Sequence, residues 1–258
     1  MPRPTIVLLH GQPDSSASFL GLRAELRQRL PEVRVLVPDR PGYGANPLPA
    51  RDFAGNVGWL LDWLAGADAG PTVLLGHSWA GGLVTLAAVQ APERVAGLVL
   101  LASIGPASLL GLDWVLAAPM IGGLIAWSTL QLGKPVVGRR AGRVIVGRQQ
   151  AADRPYARVS GLAMRRRPVW RSFLIEQRAL IRDLPGIERS LPAIRQPTAI
   201  ISGHRDQLIP AATPAELQRR IAGAVSHRIA GGHDLQLRQP GAVAALVATF
   251  AAPLLAPT

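Results

Sequence analysis

An α/β fold on a mostly parallel sheet, with helices on both faces, is what this 258-residue chain predicts. Three observations carry that expectation. Short apolar, β-branched runs alternate with stretches of helical spacing, the pattern of a parallel sheet covered on both sides. The glycine-rich segments with chemically useful side chains come straight after the apolar runs, where sites in such sheets lie. One of these segments, Gly76-His-Ser-Trp-Ala-Gly-Gly82, falls between a strand and a helix with no room for a loop.

Taken in order, Thr5–Leu9 is a buried strand that stops at His10-Gly11-Gln12-Pro13, where glycine and proline force a loop. Ser16–Leu30 carries Phe19, Leu22, Leu26 and Leu30 at helical spacing with arginines between them. Val33–Val37 is the second strand, followed by the turn-rich Asp39-Arg-Pro-Gly-Tyr-Gly44. Ala54–Ala65 is an amphipathic helix, Pro71–Leu75 a strand and Leu83–Gln90 a helix. Further strands are expected at Gly97–Leu101, Pro197–Ile201 and Val225–Ile229, and further helices at Ala215–Ile221 and Gly241–Leu255. From Ile104 to about Ser190 the alternation stops and the spacing is helical. We therefore expect a core of residues 1–103 and 191–258 and a helical cap of 104–190 packed on it.

Composition narrows the function classes. A hydrophobic share of 48% excludes disorder, and the absence of cysteine excludes disulfides, thiolate chemistry and cysteine metal sites. No His/Asp cluster has metal-ligand spacing, so no cofactor is implied. The opening MPRPTIVLLHG lacks the shape of a signal peptide, which leads to the expectation of a cytoplasmic protein. The net charge is +12. Most of the excess sits between Lys134 and Arg182, where thirteen basic residues meet only Asp153 and Glu176. Trp114–Gly133 is free of charge but broken by Pro119, Gly122 and Gly123. It fits a lining for an apolar acyl group better than a membrane span, with surface contact to anionic lipid between the two. The run Met164-Arg-Arg-Arg-Pro168 reads as a solvated face, or as a device to steer anionic substrates. Sparse aromatics and the lack of a reading motif argue against nucleic acid.

The GHSWAGG segment has the form of a nucleophile elbow. The turn is so tight that Ser78 must take a strained conformation, and only small residues fit two positions away, here Gly76 and Ala80. The same five residues also fit a helix-capping serine after a glycine-rich loop. Partners elsewhere in the chain decide between the two. A serine hydroxyl needs a base, and the base needs a carboxylate to hold its tautomer. His233 follows the last strand and Asp206 the strand before it, giving the order Ser, Asp, His.

Taken together, His10-Gly-Gln-Pro13, Asp39-Arg-Pro-Gly-Tyr-Gly44, the elbow, Gly203-His-Arg-Asp-Gln-Leu-Ile-Pro210 and Gly231-Gly-His-Asp234 resemble the capped, HGxP-type α/β-hydrolase superfamily over nearly the whole chain. The resemblance implies an α/β-hydrolase fold with Ser78 as nucleophile, Asp206 as acid and His233 as base. It also implies an oxyanion hole from the backbone N–H groups of Gln12 and Trp79, whose side chains would project into the pocket. His77, Asp234, His204, His227 and Asp39 are expected in structural or surface roles. A serine in place of aspartate argues against haloalkane dehalogenase and epoxide hydrolase chemistry, and a cap poor in carboxylates argues against aminopeptidases. The expected function is hydrolysis of carboxylic esters, lactones or thioesters of a small-molecule substrate through an acyl-enzyme. Carbon–carbon bond hydrolysis or perhydrolysis by the same residues, and a non-catalytic ligand-binding protein, are the alternatives. Activity should rise with pH as His233 becomes neutral, near a pKa of roughly 6–7.

Overall fold

The computed structural model describes residues 3–118 and 167–256. Six strands form one sheet in the order β2-β1-β3-β4-β5-β6, every neighbouring pair parallel. The strands are β1 (Arg3–Leu9), β2 (Arg34–Leu36), β3 (Ala69–His77), β4 (Val95–Leu101), β5 (Thr198–Gly203) and β6 (Val225–Ile229). Between them run α1 (Leu20–Arg29), α2 (Phe53–Gly66), α3 (Trp79–Gln90), α4 (Gly111–Ala117), α5 (Arg167–Ser190) and α6 (Thr213–Arg220); α7 (Leu235–Arg238) and α8 (Pro240–Leu255) follow β6.

Alternation along the strands sorts the side chains into two cores. Ile6 and Leu8 of β1 face Leu22 and Leu26 of α1 and Val243 and Val247 of α8. Val7 and Leu9 face the other way, into a core with Leu60 of α2, Leu83 of α3 and Leu184 of α5. The chain leaves β1 in one direction to make β2 and returns to make β3 on the other side. That reversal opens a crevice at the carboxyl ends of β1 and β3, where ligands bind in such sheets.

Two elements differ from expectation. β3 continues through Gly76 and His77 because both pair with β4, at Leu100 and Leu101. Helix α3 begins at Trp79 rather than Leu83. Gly81 and Gly82 fall within its first turn and let α3 press on its neighbours. A Cβ on Gly81 would lie 1.8 Å from Ser103 Oγ, and one on Gly82 2.9 Å from Ile104 Cδ1. Both ends of the segment expected as a cap, α4 and α5, are helical. α5 sets Leu180, Leu184 and Ile187 into the core shared with α2 and α3. Residues 119–133 of the uncharged stretch, and the cluster at 164–166, lie outside the described residues. No helix among the described residues is long and apolar enough to cross a membrane.

Candidate active site

Ser78 stands between β3 and α3 at φ 54°, ψ −121°. That region is costly for a residue with a Cβ, on the order of 1–3 kcal/mol. The surroundings hold it there. Ser78 N–H donates to Leu101 O at 3.0 Å, and its carbonyl accepts from Gly81 and Ile104 at 2.9 and 3.2 Å. A Cβ on Gly76 would stand 2.4 Å from Ala80 O, so glycine is required two residues before the serine.

The loop after β1 comes over the elbow from the other side of the crevice. A Cβ at Gly11 would sit 2.9 Å from Ser78 Cβ, a close approach that only glycine permits. This places the Gly11–Gln12 peptide beside the serine. Trp79 is the first residue of α3, where backbone N–H groups have no intrahelical acceptor and the helix dipole is positive. The expected oxyanion donors, Gln12 and Trp79, thus flank Ser78 in space and in sequence.

The Trp79 side chain departs from expectation. It is fully buried, stacked on Phe53 with ring centres 3.9 Å apart, and its indole Nε1 donates to Glu176 O at 3.2 Å. It is packed in the core beneath the site. Gln12 is half-buried, and its Nε2 donates to Gln177 Oε1 of α5 at 2.9 Å. Gln177 in turn donates to Asp113 Oδ1 of α4 at 2.8 Å.

On the far side of the crevice, His233 Nδ1 lies 3.0 Å from Asp206 Oδ2. The other carboxylate oxygen, Asp206 Oδ1, accepts the backbone N–H groups of Leu208 and Ile209 at 2.9 and 3.0 Å. Burial opposes the charge on Asp206, but the His233 hydrogen bond, its charge and the two amides together hold the carboxyl below its ordinary range. Burial also works against a charged His233. The Asp206 hydrogen bond and charge, with the charges of Asp234 and Asp14, outweigh it and raise the imidazole above 6.5.

His77 joins the two sides. Its Nε2 donates to His233 O at 3.1 Å, and the two rings pack with centres 4.8 Å apart. Burial and the neighbouring His233 push His77 down to about 3, so it is neutral and carries its proton on Nε2. The residue before the serine therefore anchors the histidine loop. Asp39 ties down its own loop, accepting from Ser16 and Ala45 N–H at 2.7 and 2.8 Å. His204 is exposed and His227 half-buried on β6. Asp234 is buried with Oδ2 unpaired, and burial raises its pKa. Burial likewise pushes Asp14 up to about 7. Among the described residues no group of three or more His, Asp or Glu is arranged to hold a metal ion.

Sequence reasoning missed the ion pair beneath the loop after β1. Arg40, from the turn-rich loop after β2, and Glu176 of α5 are both 0% exposed and bound through the two terminal guanidinium nitrogens, Nη1 and Nη2. Tyr43 OH donates to Glu176 Oε2 at 2.7 Å. A signal was available: Glu176 is one of two acids in the basic stretch, and it falls in register with Val169, Ser172 and Leu180 on the face that α5 buries.

The chain matches the model of the Alpha/beta hydrolase family over residues 6–246. It is 28% identical to the 2-hydroxymuconate semialdehyde hydrolase of Pseudomonas sp. (strain CF600), over 96% of this chain and 86% of that protein. It is 30% identical to the pimeloyl-(acyl-carrier protein) methyl ester esterase of Methylococcus capsulatus, over 88% and 85%. The chain spans 41% of the length of the uncharacterized Mycobacterium tuberculosis protein that it matches at 32% identity. A haloalkane dehalogenase loop variant from Bradyrhizobium elkanii superposes with a TM-score of 0.79 over 98% of this chain and 90% of its own, at 20% identity, a likeness of fold.

Proposed function

The chain belongs to the alpha/beta hydrolase family, and from that premise we propose that it is a serine hydrolase of carboxylic esters, lactones or thioesters. One observation carries the proposal: a strained serine stands at a strand-to-helix turn, and the residue before it, His77, anchors the loop of a histidine held by a buried carboxylate. In this reading Ser78 Oγ attacks the carbonyl carbon while His233 Nε2 takes its proton. The Asp206 carboxylate keeps Nδ1 protonated and stabilises the imidazolium that forms. The carbonyl oxygen gathers negative charge between the N–H groups of Gln12 and Trp79. Collapse expels the alcohol or thiol, which takes the proton from His233, and leaves an acyl group on Ser78. Water, deprotonated by His233, then releases the acid. The segment 104–190 acts as the cap that covers the acyl group.

Likeness to the 2-hydroxymuconate semialdehyde hydrolase over most of both chains favours a second reading, hydrolysis of a carbon–carbon bond by the same residues. The test runs both substrate types on one preparation. A fluorophosphonate probe should label Ser78, and a panel of p-nitrophenyl esters of graded length should be turned over. Ser78→Ala should abolish labelling and lower kcat on the order of 10³–10⁶. Consumption of 2-hydroxymuconate semialdehyde without ester turnover would favour the second reading. Ester turnover that survives Ser78→Ala would refute both.

A further inference from the structure

The guanidinium of Arg40 does more than meet Glu176. Its Nε donates to His10 O and its Nη2 to Gly11 O, both at 2.8 Å. Gly11 O also lies 2.9 Å from His10 Nδ1. The other ring nitrogen, His10 Nε2, accepts the Arg40 backbone N–H at 3.0 Å, so the proton sits on Nδ1 and points at the same carbonyl. Burial and the Arg40 charge keep His10 neutral. Gly11 O thus receives two donors, one of them charged.

That carbonyl belongs to the same peptide unit as the N–H of Gln12. The C=O and N–H of a trans peptide point in opposite directions, and the bond between Gly11 and Gln12 is trans. Fixing the carbonyl from below fixes the direction of the N–H above. A charge-assisted hydrogen bond to the oxygen also polarises the unit and strengthens the N–H as a donor. The guanidinium carbon lies 4.6 Å from the centre of the Trp79 ring, so one buried cation braces both residues expected to form the oxyanion hole.

We infer that Arg40 is a positioning residue for oxyanion stabilisation: it orients and polarises the Gly11–Gln12 peptide, while Glu176 of α5 balances its buried charge. The inference rests on the proposed role of the Gln12 N–H. Stability alone is a poor reason for such a pair, since buried ion pairs are commonly no more stabilising than apolar groups of the same volume. Arginine is the side chain able to reach two carbonyls and a carboxylate with one rigid fork.

The test separates activity from stability in three forms of the full chain. Glu176→Gln leaves Arg40 free to bond Gly11 O but removes its counter-charge. The triple variant Arg40→Met/Tyr43→Phe/Glu176→Met removes both charges and the hydroxyl that would lose its acceptor. Glu176→Gln should lower the Tm yet keep kcat on a p-nitrophenyl ester within about threefold, because the polarising bond survives. The triple variant should recover much of the Tm yet lose kcat on the order of 10- to 100-fold at near-constant KM, less than outright loss of an oxyanion donor costs. Its acidic pH limb should not move, because His233 is untouched. A purely structural pair cannot put activity and stability in opposite order.

The inference is overturned if the triple variant keeps wild-type kcat, or if kcat follows Tm through the series. Should the triple variant fail to fold, Arg40→Lys decides. An ammonium keeps the charge but cannot span Gly11 O and Glu176 together, so a loss of about tenfold or more in kcat is expected, and unchanged kcat overturns the inference. Ser78→Ala separates the two levels: turnover that survives it removes the proposed function, and this inference with it. Turnover that is lost in Ser78→Ala but normal in the Arg40 variants removes this inference alone.

Discussion

The two sides of the crevice around Ser78 are built on different physical terms. The acid–base side is a pair of loops after β5 and β6, and its hydrogen bond joins residues 27 apart in sequence. One backbone turn at Asp206 and one at Gly231–Gly232 put the side chains in place. The oxyanion side instead depends on Arg40 and Glu176, 136 residues apart, with both charges wholly withdrawn from water. A local turn can be rebuilt by a neighbouring residue. A desolvated ion pair fails completely when either partner goes, because the other charge stays buried and unpaired. The acid–base side should therefore lose activity when altered with little loss of fold, whereas stranding one charge of the ion pair on the oxyanion side should cost stability first.

The largest expected effect sharpens the first half of that contrast. Asp206→Asn keeps the shape but removes the charge that holds the His233 tautomer, and kcat should fall on the order of 10⁴. Its melting temperature should stay close to wild type, within a few degrees. An unfolded or unstable Asp206→Asn protein would break the comparison. Glu176→Ala supplies the other half. It strands Arg40 in the core and should cost about 3–5 kcal/mol in denaturant unfolding. A loss below about 1 kcal/mol would mean that Arg40 finds water or another partner, and that the pair is not the brace described above.

A smaller effect concerns pH. His233 is raised above 6.5 against its burial, by Asp206 first and by Asp234 and Asp14 after it. The base must be neutral to act, so kcat/KM should climb with pH through a limb above the ordinary imidazole value. That sharpens the range expected from the sequence toward its upper end. Asp14→Asn removes one of the helping charges and should move the limb to lower pH. The same substitution has a stability signature of fixed sign. Asp14 titrates at about 7 in the folded chain and near 3.8 when unfolded, so its charged form opposes folding above pH 7. Asp14→Asn should raise the Tm at pH 8, and the gain should fade as pH falls through 7 toward 4. A gain that grows on acidification would contradict the placement of Asp14.

What could be read in the sequence follows the same division. Ser78, Asp206 and His233 sit in short motifs next to strands, so the alternation placed each after a strand, and the resemblance to a known family supplied the roles expected of them. The alternation of apolar runs was enough for a parallel sheet but carried no strand order, which depends on how the crossovers pack. Arg40 looked like one more residue in a turn, and Glu176 like a stray acid among arginines, because nothing local reveals a partner on another element. Trp79 erred in the opposite sense. Its place beside the serine implied a pocket wall, while the small residues Ala80, Gly81 and Gly82 let α3 sink until the indole was buried against Phe53. Asp39 behaved as its loop implied: a Cβ on Gly44 would fall 2.1 Å from its carboxylate, so the glycine pattern and the tethering role are one fact.

The most direct measurement of the central claim is rapid-quench mass spectrometry of the intact chain reacting with p-nitrophenyl acetate. A burst of p-nitrophenol approaching one equivalent is expected, with a matching acetyl adduct on the protein that peptide mapping places on Ser78. Neither burst nor adduct is expected in Ser78→Ala. Turnover with no acyl intermediate, or an adduct that maps elsewhere and persists in Ser78→Ala, would contradict the claim.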